Sequence, residues 1–111
     1  MSMIEEIGAT ELKSRLDSGE NIRLIDVRSD MEYRQGIIEG GEFMPLHTVP
    51  LRMDELSNDV TNVIYCRSGR RSAQACLFLK QQADINAINL YGGIISWSHA
   101  GFAVVKPKPQ Q

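Results

Sequence analysis

The sequence contains few of the residues that metal sites and disulfide-stabilised folds require. Its 111 residues include two cysteines, Cys66 and Cys76, and two histidines, His47 and His99. Two cysteines are too few for a disulfide framework, and their separation matches neither a zinc site nor a C-x-x-C redox pair. Neither histidine stands in a motif that would pair it with Cys66 as a general base. We therefore expect no bound metal and no cofactor.

An excess of basic residues and long hydrophobic runs are also absent. The chain has 12 Lys and Arg against 14 Asp and Glu, so its formal net charge is −2. This balance gives no general reason to expect binding to nucleic acid or to an anionic membrane. No apolar run is long enough to span a bilayer, and the first ten residues carry Glu5 and Glu6 where a secretory signal would be basic and then apolar. We expect a cytoplasmic protein.

The length allows one compact domain, which we expect over residues 1–105, followed by a disordered Lys- and Pro-rich tail over residues 106–111. Apolar residues with strand or helix spacing alternate along the domain. The alternation predicts an α/β fold, a three-layer sandwich in which a mostly parallel central sheet is flanked by helices. The predicted strands span residues 22–27, 42–46, 62–65 and 87–90, and the predicted helices span residues 10–16, 31–35 with Asp30 as its cap, 51–56, 72–83 and 94–100.

The candidate site is the loop that joins the predicted strand over residues 62–65 to the predicted helix over residues 72–83. It begins with Cys66 and contains several cationic residues. Backbone N–H groups and the helix dipole make such a junction an anion-binding site, which favours a thiolate and lowers the cysteine pKa below its free value of ~8.5. After the nucleophile Cys66, the candidate binding residues are Arg67, Ser68, Gly69, Arg70, Arg71 and Ser72.

A free cysteine is more often a small buried core residue than a nucleophile. The three arginines and the glycine within five residues of Cys66 favour the nucleophile, because a structural cysteine gains nothing from them. Cys76 lies in phase with the apolar residues of helix 72–83, so we expect it to be a packed core residue.

Three segments of the sequence resemble single-domain rhodaneses, the thiosulfate-type sulfurtransferases. They are Leu24-Ile25-Asp26-Val27-Arg28, the Cys66 loop, and Gly92-Gly93-Ile94-Ile95-Ser96-Trp97. The resemblance runs from about residue 7 to residue 102. It implies that Asp26 and Arg28 support the loop as scaffolding, with a role in substrate binding as the second interpretation. The histidine of the family's usual Gly-His-Ile segment is replaced here by Ile37.

The length of the cysteine loop distinguishes rhodaneses from phosphatases that have a similar loop. In protein-tyrosine phosphatases, five residues separate the cysteine from an arginine that binds phosphate bidentately. Ser72 occupies that position here, and Arg71 comes one residue earlier. Within the rhodanese fold, the resemblance associates the shorter loop with sulfur transfer and the longer loop with dual-specificity phosphatases.

The sequence therefore predicts sulfur transfer through a Cys66 persulfide. The donor would be an anion such as thiosulfate or polysulfide, and the acceptor would be a thiol, or cyanide in vitro, with a protein as a further candidate donor or acceptor. Of the arginines, Arg71 is the first candidate for recruiting the donor and Arg67 the second. The alternatives are a phosphatase or arsenate reductase on the same fold, and a non-catalytic persulfide carrier or binding module.

Overall fold

One five-stranded sheet organises the computed structural model of the chain, which describes residues 4–109. The strands are β1 (Glu5–Ile7), β2 (Ile22–Asp26), β3 (Glu42–Phe43), β4 (Thr61–Tyr65) and β5 (Ala87–Leu90). They lie in the order β1-β5-β4-β2-β3, and every neighbouring pair is parallel. Parallel strands carry their ligands beyond the carboxyl ends, so the segments after β2, β4 and β5 meet at one edge of the sheet.

Helices cover both faces of this sheet. They are α1 (Ala9–Asp17), α2 (Asp30–Gln35), α3 (Val49–Arg52), α4 (Arg70–Ala83) and α5 (Gly93–His99), with 3-10 turns at Leu46–Thr48 and Met53–Glu55. Alternate residues of each strand point to opposite faces, as the pleat requires. Ile25 and Ile64 pack with α3 and α4, whereas Leu24 and Val63 pack with α1 and α5. The predicted three-layer α/β sandwich is confirmed.

Several element boundaries differ from the predicted ones. The helix expected to begin at Ser72 begins at Arg70, because Gly69 adopts a left-handed conformation (φ 103°) that ends the loop early. The cap of α2 is Ser29 and not Asp30: the Ser29 side chain accepts from the Glu32 amide in a capping box, which Asp30 inside the helix is not placed to form.

Two further predicted elements are shorter than expected. The strand predicted over residues 42–46 ends at Phe43, two residues before a proline, which cannot donate to a strand ladder. The helix predicted over residues 51–56 is the four-residue α3 followed by a 3-10 turn. Both segments lie beyond the central strands, where local turn geometry decides the backbone path.

The segment after α5 returns along α2. Val105 forms an isolated antiparallel bridge with Ile37, with both N···O distances at 2.8 Å. Lys106 then extends beside α2, and its ammonium donates to the Gln35 carbonyl at 3.4 Å. Of the predicted tail, Gln110 and Gln111 lie outside the described residues. No helix within residues 4–109 is both long and apolar enough to cross a bilayer.

Candidate active site

The Cys66 loop forms a ring of donors around a buried sulfur. Cys66 follows β4 directly, is 1% exposed, and lies under the first turn of α4. Its Sγ accepts hydrogen bonds from the Gly69 amide at 3.1 Å, the Ser72 amide at 3.4 Å and the Ser72 hydroxyl at 3.3 Å. The loop thus brings together the cysteine, the glycine and the serine that the sequence singled out, and it directs their donors at one atom.

These donors lower the pKa of Cys66. Burial opposes the charged form and would raise the pKa, but hydrogen bonds from the Ser72 hydroxyl and from the Ser72, Gly69 and Ser68 amides outweigh it. The predicted direction of the shift is confirmed. Hydrogen bonds are the main effects that lower the pKa; the charge of Arg71 acts on the sulfur only through space, since no hydrogen bond within residues 4–109 joins an arginine to the sulfur.

The carbonyl groups of the loop are held away from the sulfur by α5. The Ile94 amide donates to the Cys66 carbonyl at 2.9 Å, and the Ile95 amide donates to the Arg67 carbonyl at 3.2 Å. This approach requires glycine at Gly93, where φ is 63° and a Cβ would lie 2.3 Å from the Arg67 carbonyl oxygen. With its carbonyls bonded to α5, the loop presents its N–H groups to the sulfur.

The arginines of the loop fall into two groups. Arg71 forms a bidentate ion pair with Glu32 of α2, with N···O distances of 2.8 and 2.9 Å. This contact raises the pKa of Arg71 and lowers that of Glu32 to about 2. Arg67 and Arg70 are exposed and form no ion pair within residues 4–109. The other arginines of the chain all pair with carboxylates: Arg15, Arg23, Arg28, Arg34 and Arg52.

Asp26 and Arg28 form a buried ion pair beside the loop. The Arg28 Nη2 lies 2.7 Å from the Asp26 carboxylate and 2.6 Å from the Gly36 carbonyl, and the Arg28 amide donates to the same carboxylate at 3.0 Å. The guanidinium also lies over the Tyr65 ring, 5.9 Å from its centroid. These bonds tie the end of β2 to the segment that precedes β3, which supports the scaffolding interpretation of Asp26 and Arg28.

The remaining candidate residues lie away from the sulfur chemistry. Ile37 is buried and pairs its backbone with Val105, so the position where the family usually has histidine is an apolar one here. Cys76 is buried in the core, and burial raises its pKa to about 12, which confirms it as a packed residue. His47 and His99 are both exposed, in a 3-10 turn and at the end of α5.

One residue that the sequence did not single out, Asn89, completes the surroundings of Cys66. Asn89 of β5 is 1% exposed, and its Oδ1 receives the Ser72 hydroxyl. Its Nδ2 donates to Glu6 of β1 at 2.9 Å and to the Gly69 carbonyl at 3.2 Å. The signal that could have identified Asn89 is a polar residue within a four-residue strand that is otherwise apolar and buried.

Comparison of the chain with known proteins finds a matching family model and similar sequences. The family model of the rhodanese-like domain matches residues 8–100. The chain is 43% identical to a sulfurtransferase from Allochromatium vinosum over 106 residues, which cover 96% of this chain and 99% of that protein. It is 35% identical to the putative sulfurtransferase YtwF of Bacillus subtilis over 94 residues, which cover 85% and 90% of the two chains.

Solved structures agree with these sequence relatives. The fold is similar to that of a rhodanese-related protein from Thermoplasma volcanium, with a TM-score of 0.82 and 30% identity over 91% of this chain and 97% of that chain. A rhodanese-like domain protein from Staphylococcus aureus also has a TM-score of 0.82, with 29% identity over 94% of this chain and all of that chain. The chain therefore belongs to the rhodanese-like domain family, as the three sequence segments predicted.

Proposed function

We propose that the protein is a sulfurtransferase that moves a sulfane sulfur through a persulfide on Cys66. The observation that carries this proposal is the buried Cys66 sulfur with three hydrogen-bond donors directed at it from the start of α4. Membership of the rhodanese-like family and the relatives named sulfurtransferases support sulfur transfer as the general chemistry. The donor is an anion such as thiosulfate or polysulfide, and the acceptor is a thiol, cyanide in vitro, or a partner protein.

The first half-reaction loads sulfur onto the enzyme. The Cys66 thiolate attacks the outer sulfur of thiosulfate, a new S–S bond forms, and the S–S bond of the donor breaks. Sulfite leaves with the electron pair of the broken bond, Sγ loses its charge by forming the new bond, and the outer sulfur keeps the negative charge that it carried in thiosulfate. The inward-facing N–H groups of Gly69 and Ser72 stabilise this charge without rearranging, because α5 already holds the Cys66 and Arg67 carbonyls.

The second half-reaction returns the enzyme to its starting state. Cyanide or a thiolate attacks the outer sulfur, the persulfide S–S bond breaks, and its electron pair returns to Cys66 Sγ as thiolate. Thiocyanate is the product when cyanide is the acceptor. The lowered pKa of Cys66 assists this step, since a sulfur of lower pKa is the better leaving group.

The size of the loop supports sulfur as the transferred group. The position that carries the phosphate-binding arginine in tyrosine phosphatases is Ser72, which is fully buried with its hydroxyl at the sulfur. Arg71, one residue earlier, has its fork occupied by Glu32. Arg71 is therefore not free to bind the three non-bridging oxygens of a phosphoryl group bidentately.

The test is thiocyanate formation from thiosulfate and cyanide by the wild type, Cys66→Ser and Cys76→Ser, with an aryl phosphate assayed in parallel. We expect turnover in the wild type and Cys76→Ser, none in Cys66→Ser, and no phosphatase activity. Intact-protein mass spectrometry after thiosulfate alone should show one added sulfur atom. Aryl phosphate hydrolysis without sulfur transfer would instead establish a phosphatase, and a stable persulfide without turnover would establish a carrier.

A further inference from the structure

The hydroxyl of Ser72 lies between two hydrogen-bond acceptors. Its Oγ is 3.3 Å from Cys66 Sγ and 2.5 Å from Asn89 Oδ1. The orientation of the Asn89 amide is fixed, because its Nδ2 faces the Glu6 carboxylate and the Gly69 carbonyl, which only accept. Asn89 Oδ1 therefore needs a donor. A serine hydroxyl has one proton, so it cannot serve both acceptors at once.

Ser72 and Asn89 are both buried, so an acceptor that loses the Ser72 hydroxyl has no bulk water to replace it. Ser72 is 0% exposed and Asn89 is 1% exposed, so bulk water does not supply a replacement donor or acceptor. A buried polar atom left without a partner is costly. Each orientation of the Ser72 hydroxyl gives one acceptor a donor and leaves the other without one. The charge on the sulfur determines whether Cys66 Sγ or Asn89 Oδ1 is the stronger acceptor.

We propose that Asn89 is a positioning residue that competes with Cys66 for the Ser72 hydroxyl, which turns to the sulfur when Sγ is a thiolate and to Asn89 when Sγ is uncharged. This inference rests on the proposed function. In the thiolate, Sγ is an anion and draws the hydroxyl. In the persulfide, the charge lies on the outer sulfur and Sγ is a weak acceptor, so the hydroxyl returns to Asn89 Oδ1.

The hydroxyl thus follows the charge through the cycle without any proton transfer. When an acceptor breaks the persulfide S–S bond, negative charge builds on Sγ, and the Ser72 hydroxyl turns back to stabilise it. Asn89 provides a partner while the hydroxyl is not needed at the sulfur. Because Asn89 Oδ1 competes for the hydroxyl, it weakens the preference of that hydroxyl for the thiolate, which leaves Cys66 more basic and more nucleophilic than Ser72 alone would leave it.

The charged groups near this chain of hydrogen bonds have other partners. On β1, Glu6 accepts from Asn89 Nδ2; on α4, Arg71 pairs with Glu32 and Cys76 is buried with a raised pKa. At the end of β2, Asp26 pairs with Arg28. None of these groups donates to Asn89 Oδ1 or accepts from the Ser72 hydroxyl among the hydrogen bonds of residues 4–109.

The test measures the pKa of Cys66 from the pH dependence of its alkylation by iodoacetamide, in a Cys76→Ala background where Cys66 is the one thiol. We expect Ser72→Ala to raise the pKa by about one unit and Asn89→Leu to lower it by about half a unit, since an ionic hydrogen bond is lost in one case and strengthened in the other. The control is Asn62→Leu, which removes an equally buried asparagine from the adjacent β4, where it donates to the Ser57 carbonyl.

A rise of the Cys66 pKa in Asn89→Leu would overturn the proposal, because Asn89 would then only hold Ser72 in place. An unchanged pKa would overturn it as well. The double variant Ser72→Ala/Asn89→Leu should have the pKa of Ser72→Ala alone, since Asn89 acts through the Ser72 hydroxyl. If Asn89→Leu does not fold, Asn89→Ala removes the same acceptor with less bulk and carries the same expectation.

The two half-reactions provide a second readout. In Asn89→Leu, single-turnover kinetics should show slower loading from thiosulfate and faster discharge to cyanide, and Ser72→Ala should show the reverse. Changes of both steps in the same direction would contradict the competition. The alkylation measurement uses no sulfur donor, so the inference about Asn89 can fail or hold separately from the proposed sulfur transfer.

Discussion

The ion pair between Glu32 and Arg71 predicts a measurable and pH-dependent contribution to stability. Replacing Glu32 by glutamine removes the charge but keeps the Oε1 atom that accepts from the Ser29 amide and from the Ser29 hydroxyl. The drop in the Glu32 pKa from 4.5 to about 2 corresponds to about 3 kcal/mol of interaction with Arg71 and its neighbours. Because the two side chains are 26% and 37% exposed, screening by solvent reduces the expected loss to about 1–2 kcal/mol.

The sign of the pH dependence follows from the direction of the shift. A carboxyl group whose pKa is lower in the folded state stabilises the protein above its unfolded pKa of 4.5, and this contribution is lost as the pH falls towards 2. Urea unfolding should therefore show the wild type to be more stable than Glu32→Gln at about pH 7, with a gap that narrows at about pH 3.

Glu39→Gln is the matched control for this prediction, because Glu39 is exposed and forms no ion pair within residues 4–109. It makes the same change of charge without a partner, so its stability should stay within about 0.5 kcal/mol of the wild type. The reasoning would be refuted if the difference in unfolding free energy between the wild type and Glu32→Gln were the same at both pH values. It would also be refuted if that difference were no larger than the difference between the wild type and Glu39→Gln.

Two further predictions concern the loop. The variant Arg67→Gln/Arg70→Gln should raise the thiosulfate KM several-fold, and the difference from wild type should be smaller at high salt. The control, Arg34→Gln on α2, should leave the KM unchanged. An unchanged KM in the double variant would exclude recruitment of the donor by Arg67 and Arg70. Gly93→Ala should destabilise the fold and abolish turnover, because the added Cβ would clash with the Arg67 carbonyl. The control is Gly101→Ala, since Gly101 also has a left-handed backbone but has open space around it. This variant should lose about 1 kcal/mol of folding stability and keep its activity.

Local patterns account for what the sequence predicted well. The β-branched run before Cys66 and the apolar spacing after it placed a strand and a helix at residues that the structure confirms, because both signals depend on neighbours within one or two turns. The start of α4 was wrong by two residues. It depends on the backbone conformation of Gly69, and the helical spacing of apolar side chains does not report that conformation.

The site was predictable only as far as it is local in sequence. Cys66 and Ser72 lie within seven consecutive residues, so their chemistry could be interpreted from the loop alone. The partner of Arg71 is Glu32, 39 positions away, and their pairing depends on how α2 packs against α4. The sequence therefore identified Arg71 as a cation at the loop but did not indicate that its guanidinium forms an ion pair with a carboxylate.

The contact between Glu6 and Asn89 joins residues 83 positions apart and lies on the pairing of β1 with β5. During synthesis β1 is made first, yet the strand that pairs with it in the sheet, β5, is the last of the five described strands to be made. Such distant pairings form late, since the entropy of closing the intervening chain must be met before the contact contributes. A partly synthesised chain can therefore contain the whole Cys66 loop and still lack Asn89, so the reactivity of this thiol matures only when the two ends of the domain have met.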